Sequence, residues 1–170
     1  MHLRQTHIRR DRSTRTKFAG EEFALAFPNA LVVRTNMTGR RGWKQPTFFE
    51  WAASSLRHRA PMALFDDYFT STIDAASLAA AVFDLVERKA HGLLNVASRD
   101  VASKRSFVEA LARALGIDPD WVTVTSVKTL SVPRAESAGL DVSRAEEILG
   151  YALPDLGAVV ASLAAIQEPA

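Results

Sequence analysis

Ala30-Leu31-Val32-Val33 runs into Arg34-Thr35-Asn36, and later in the chain Leu93-Leu94-Asn95-Val96-Ala97 follows His91-Gly92. A strand with one wet face alternates apolar and polar residues. A short run that stays apolar at consecutive positions is covered on both faces, as in a parallel sheet. These two runs therefore set the fold class, and Met62 to Phe65 is a further strand candidate. Helical patterns fill the intervals. Phe18, Phe23, Ala26 and Phe27, with Glu21 and Glu22 on another face, suit an amphipathic helix ended by Pro28-Asn29. Pro46 can open a helix over Thr47 to Leu56, and Asp74 caps one from Ala75 to Glu87. Ser103 caps Lys104–Leu115, whose stripe is Phe107, Val108, Leu111 and Ala112, with Gly116 placed for a left-handed cap. Trp121 to Val127 reads as a half-exposed strand. Ser143-x-x-Glu146 reads as a capping box for a helix stopping at Gly150, and Pro154 begins a last helix to about Ile166. Helices alternating with short apolar strands imply an α/β fold with a sheet at least partly parallel.

The 170 residues are 48% hydrophobic, enough for one core and too many for a disordered chain. No window approaches the roughly 18 unbroken apolar residues of a membrane span, so the expectation is a soluble, cytoplasmic protein. The chain has no cysteine, which removes disulfides, thiolate metal sites and cysteine nucleophiles. The net charge of +2 is unevenly spread: residues 1–17 carry +5 and the rest −3. Residues 1–16 accordingly read as a basic disordered tail and 17–170 as a single domain. A globally basic, nucleic-acid-binding surface is not supported.

The sequence contains neither G-x-G-x-x-G nor G-x-x-x-x-G-K-[ST], so a phosphate cradle is not recognisable in it. His2, His7, His58 and His91 have no metal-ligand spacing, and no metal is expected. Three basic positions stand out. Lys17 opens a helix, where the dipole disfavours a cation. Arg34 ends a buried strand and is suited to anchor an internal carboxylate. Arg134, after Pro133, is a rigid loop arginine of the kind that holds a phosphate in two bonds.

Several segments, in order, then carry a resemblance. Thr16-Lys17-Phe18-Ala19-Gly20-Glu21-Glu22 precedes the run ending Arg34-Thr35-Asn36; Phe65-Asp66-Asp67-Tyr68-Phe69-Thr70-Ser71-Thr72 follows. Gly92 to Ala97, Pro133-Arg134 and Leu140-Asp141-Val142-Ser143-Arg144-Ala145 complete the series. Over about residues 13–165 this resembles the C-terminal half of an extended short-chain dehydrogenase/reductase, of the dTDP-4-dehydrorhamnose reductase group. The matching family patterns are K-x-x-G-E, a strand ending Arg-Thr, D-D-Q-x-x-S/T-P-T, and R-P…L-D-x-S-K-A.

The resemblance implies an incomplete NAD(P)-binding Rossmann-like fold, its last parallel strands and helices, plus a small α/β substrate-binding lobe. It implies NADP or NAD as the family cofactor and NAD(P)H-dependent reduction of a 4-keto-6-deoxy sugar nucleotide. Lys17 would be the lysine of the family's Tyr-x-x-x-Lys, with Ser13 in the tyrosine position. Lys17 and Thr35 would border the cofactor. Asn36, Thr70, Ser71 and Thr72 would face the sugar, and Arg134 would bind the pyrophosphate of a dTDP-sugar. The family's glycine-rich half has no counterpart here, so the chain is expected to be truncated, to hold no cofactor alone and to be inactive alone. It would self-associate or need a complementing N-terminal half. The alternative is a non-catalytic regulatory or binding subunit of the same fold family. No nucleic acid or membrane partner is expected.

Overall fold

The computed structural model describes residues 12–41, 43–131 and 137–165, with side chains from residue 15 onward. Helix α1 (Arg12–Leu25) leads into β1 (Leu31–Arg34) and the two-residue β2 (Met37–Thr38). Helix α2 (Phe48–Arg57), β3 (Ala63–Phe65), β4 (Phe69–Thr70) and β5 (Ile73–Asp74) follow, then α3 (Ala75–Glu87) and β6 (Gly92–Asn95). The remainder is β7 (Ala102–Ser103), α4 (Lys104–Ala114), β8 (Thr123–Thr125), β9 (Ser137–Ala138), α5 (Ser143–Leu149) and α6 (Leu156–Ala165).

The two apolar runs form parallel strands as read, and they pair with each other, but β1 is only half-buried rather than covered on both faces. β1 and β6 are parallel, with Leu31 opposite Gly92 and Arg34 opposite Asn95. β2–β5 and β3–β8 are further parallel pairs, and β4 lies between β7, antiparallel, and β9, parallel. Parallel neighbours need a long crossover, and α3 lies on the one between β1 and β6.

Two buried clusters hold these parts together. One joins α2, α4, α6 and β3 through Phe49, Leu56, Leu64, Leu111 and Leu163. The other joins α3, β6 and α5 through Ile73, Leu85, Leu94, Leu149 and Leu153. Leu111 and Leu85 are fully buried. Burial of a side chain of this size contributes about 1.5–3 kcal/mol. The helix ends are satisfied locally. Asp74 Oδ1 accepts from Ser77 N at 3.0 Å, Ser103 Oγ accepts from Ser106 N at 3.0 Å, and Gly116 turns the chain out of α4 at φ +68°.

The structure departs from the sequence reading at several places. α1 begins at Arg12, so residues 12–16, read as tail, are helical, and Lys17 sits in its second turn rather than at its start; residues 1–11 lie outside the described residues. The phenylalanines expected inward on this helix point out: Phe23 on α1 is 74% exposed and Phe27, in the turn after it, 60%. Glu21, expected outward, faces β1 because Arg34 grips it there at 3.0 and 2.6 Å. The expected strand Trp121–Val127 is paired only over Thr123–Thr125, with Val124 exposed and Val127 buried in the following turn. The Ser143–Glu146 capping box is not formed. Ser143 N and Oγ both donate to Asp141 Oδ1, and Glu146 Oε1 accepts from Leu153 N at 2.8 Å.

Candidate functional site

Strands β1 and β6 end together at Arg34 and Asn95. In an open parallel sheet, ligands collect beyond these carboxyl ends, where loops diverge and backbone groups point outward. Here a cleft of about 620 Å³ opens there, lined by Lys17 of α1, by Thr35 and Asn36 after β1, and by Tyr68, Ala138 and Leu140 from later segments.

The charges in this cleft are partly spent. The guanidinium of Arg34 holds its proton above the usual arginine range because both its bonds go to Glu21. Arg34 therefore anchors a carboxylate, but at a partly exposed pair rather than the internal one its place at a strand end suggested. Lys17 lines the same wall and has no carboxylate partner among the described residues.

A layer of hydroxyls lies under the cleft. Asn36 Nδ2 donates to Thr72 Oγ1 at 3.2 Å, and the hydroxyls of Thr70 and Thr72 bond to each other at 3.0 Å. Ser71 Oγ accepts from Leu140 N at 3.1 Å. Thr70, Ser71 and Thr72 are all buried, so they reach the cleft only through Asn36 and Leu140, which they hold in place.

Of the sequence-derived residues, the structure thus brings Lys17, Thr35 and Asn36 to one cavity and sets Thr70, Ser71 and Thr72 beneath it. Arg134 lies outside the described residues. Ser13 is on α1 four residues before Lys17, about one helical turn away. A second depression, of about 420 Å³, lies beyond Leu140 between Arg99 and Ser143.

Sequence reasoning placed Asp67 and Tyr68 inside the D-D segment that resembles the family but gave neither a role of its own in this region. Tyr68 lines the cleft, and nothing in its local pattern separated it from the neighbouring loop aromatic Phe69. Asp67 fixes the loop that carries Tyr68, accepting from Val127 N at 2.8 Å and from Ser126 Oγ. The Ser126 hydroxyl is the main reason the Asp67 carboxyl is held below its ordinary value.

Residues 12–167 match the family described as RmlD substrate binding domain. The chain belongs to that family. The RmlD-type chain is 29% identical over 157 residues to the probable low-salt glycan biosynthesis reductase Agl14 of Haloferax volcanii, spanning 89% of this chain and 52% of that protein. In fold it is similar to dTDP-4-dehydrorhamnose reductase from Yersinia enterocolitica, with a TM-score of 0.76 at 20% identity, over 89% of this chain and 55% of that one. The same enzyme from Bacillus anthracis, solved in complex with NADP, gives a TM-score of 0.76 at 17% identity over 88% and 53% of the two chains. The RmlD-type chain thus spans about half the length of the relatives it matches, and its α/β fold with short parallel sheets is theirs.

An NADP diphosphate needs backbone N–H groups at a glycine-rich turn into a helix. Among the described residues of the RmlD-type chain no helix follows such a turn. Lys17 and Thr35 could border a nicotinamide ribose, but these residues by themselves form no seat for the diphosphate. No helix among the described residues is long and apolar enough to cross a membrane, and no three of their His, Asp or Glu side chains converge as a metal site.

Proposed function

We propose that this chain is the sugar-nucleotide-binding half of an RmlD-like reductase. It binds a dTDP-type nucleoside diphosphate sugar in the cleft beyond β1 and β6. The observation that carries the reading is the convergence of Lys17, Thr35 and Asn36, from a helix and a strand end, on one cavity. Asn36 is held by the buried Thr72–Thr70 pair, so its amide is pre-set for a sugar hydroxyl. Arg134 would take the pyrophosphate. In the full reaction a 4-keto-6-deoxy sugar nucleotide is reduced with NAD(P)H in the cytoplasm, and a glycine-rich α/β lobe beyond the described residues would supply the dinucleotide seat.

The chain's own part is binding and orientation. Ser13, one turn before Lys17, is a serine where the family reaction uses a tyrosine to protonate the alkoxide. Its alcohol is too short and too weakly acidic for that proton transfer. This favours a second reading, a non-catalytic binding or regulatory subunit, in which the cleft is kept and turnover is not. Calorimetric titration of the purified chain with dTDP-glucose and with NADPH tests the proposal. The expected result is binding of the sugar nucleotide, weakened by Lys17→Ala, with no NADPH oxidation on a keto-sugar nucleotide. Saturable turnover by the chain alone would overturn the division of labour. Turnover only on adding a separate glycine-rich lobe would exclude the regulatory reading.

A further inference from the structure

We infer that Tyr68 is the sugar-reading residue of the cleft, an assignment that rests on the sugar-nucleotide reading above. Among the residues lining the cavity it is the aromatic one, and it carries a hydroxyl. That hydroxyl makes no hydrogen bond within the described residues. A half-buried phenol with no partner among the described residues is an open donor and acceptor for something that enters.

The backbone around it is held on both sides. Asp67, immediately before, is tied to Val127 N and Ser126 Oγ. Tyr68 O accepts from Lys104 N at 3.3 Å, and Phe69, immediately after, pairs with Ser103 and Ser137. The ring is also backed. Lys104 Nζ lies 5.9 Å from the centre of the Tyr68 ring and 4.2 Å from that of Phe48, and it has no carboxylate partner among the described residues. The backbone that carries Tyr68 is therefore set by the scaffold, with Lys104 over its ring.

The chemistry of the neighbours points to a hexose ring. The Asn36 amide, the Thr35 hydroxyl and the Tyr68 phenol are the groups that recognise alcohols, and the Tyr68 ring with Leu140 offers an apolar surface to the C–H face of a pyranose. Lys17 lines the same cavity and supplies a cation there. Tyr68 should thus discriminate the sugar from the nucleoside diphosphate that carries it.

The test compares wild type, Tyr68→Phe and Tyr68→Leu in titrations of the full chain with dTDP-glucose and with dTDP. Tyr68→Phe keeps the ring and its contact with Lys104, so it reports on the hydroxyl alone. It should weaken dTDP-glucose about two- to tenfold, the usual worth of one neutral hydrogen bond, and leave dTDP unchanged. Tyr68→Leu should weaken dTDP-glucose further, again sparing dTDP. Wild-type affinity for dTDP-glucose in both variants would overturn the assignment while leaving the proposed function intact. So would an equal loss of dTDP and dTDP-glucose, which would put the ring against the base or the phosphates. Failure of the wild-type chain to bind either ligand would overturn both readings.

Discussion

Asp67 shows how one carboxylate can tie two segments together. It takes the hydroxyl of Ser126 and the N–H of Val127, and so fastens the loop before β4 to the end of β8. Because those donors favour the charged form, its folded pKa lies below the ordinary aspartate value. The stability it contributes is fully present above the unfolded pKa of about 4 and is lost as pH falls through the lower folded value. Asp67→Asn mimics the protonated state. Thermal melts should therefore show wild type above Asp67→Asn at pH 7, and the gap should close as pH drops well below about 4. A gap that persists unchanged at low pH would mean the charge is not what holds the loop. Lys104 illustrates the opposite case: burial lowers its pKa, and the ring faces of Phe48 and Tyr68 partly offset the loss of water.

Two helix starts carry the same motif and behave differently. In Thr47-Phe48-Phe49-Glu50, Thr47 Oγ1 accepts from Glu50 N at 3.2 Å and Glu50 Oε2 accepts from Thr47 N at 2.7 Å, a complete capping box. In Ser143-Arg144-Ala145-Glu146 neither arm forms, because Asp141 captures the serine and Leu153 N takes the glutamate. Thr47 also sits at φ −66°, ψ 167°, the extended geometry a capping residue needs, whereas Val142 before α5 is helical at φ −101°, ψ 0°. Thr47→Ala should cost about 1 kcal/mol in denaturant unfolding. Glu146→Ala should destabilise by freeing Leu153 N and Arg99, while leaving the Asp141–Ser143 bonds intact. Equal and small effects of both would show that neither contact matters to the fold.

At the scale of the whole molecule, the described residues leave a good deal of surface without cover. β1 is paired only on its β6 side, and Phe23 and Phe27 stack edge-to-face on each other, at 6.0 Å between ring centres, rather than on a core. Phe83 and Val86 on α3 are 70% and 58% exposed. Exposed aromatic and aliphatic side chains of this size, where they cluster as Phe23 and Phe27 do, mark contact sites or drive association. The relatives are about twice as long, which is consistent with such a face being covered in them. The purified chain should self-associate in light scattering, and the double substitution Phe23→Ser, Phe27→Ser should move it towards monomer without changing its circular dichroism. A wild-type chain that stays monomeric at high concentration would contradict this.

Local chemistry determined much of this protein. Apolar runs too short for helices and too continuous for half-wet strands made Leu31–Arg34 and Gly92–Asn95 a parallel pair. Asp74, Ser103 and Gly116 closed their helices because cap geometry depends on a few neighbouring atoms. Lys17, Thr35 and Asn36 were legible as a site through the ordered segments that resemble a family. Tertiary structure alone decided the rest. The orientation of α1, with Glu21 meeting Arg34 thirteen residues away and Phe23 left exposed, is the reverse of what the local pattern suggested. The fate of each capping box depended on partners elsewhere: Asp141 and Leu153 N take both arms of the Ser143 box, whereas Glu50 keeps one oxygen on Thr47 N while the other accepts from Arg41 N. Tyr68 reached the cleft because Asp67 is held by residues 59 and 60 positions away, Ser126 and Val127, and pairings of that span leave no periodic trace in the chain.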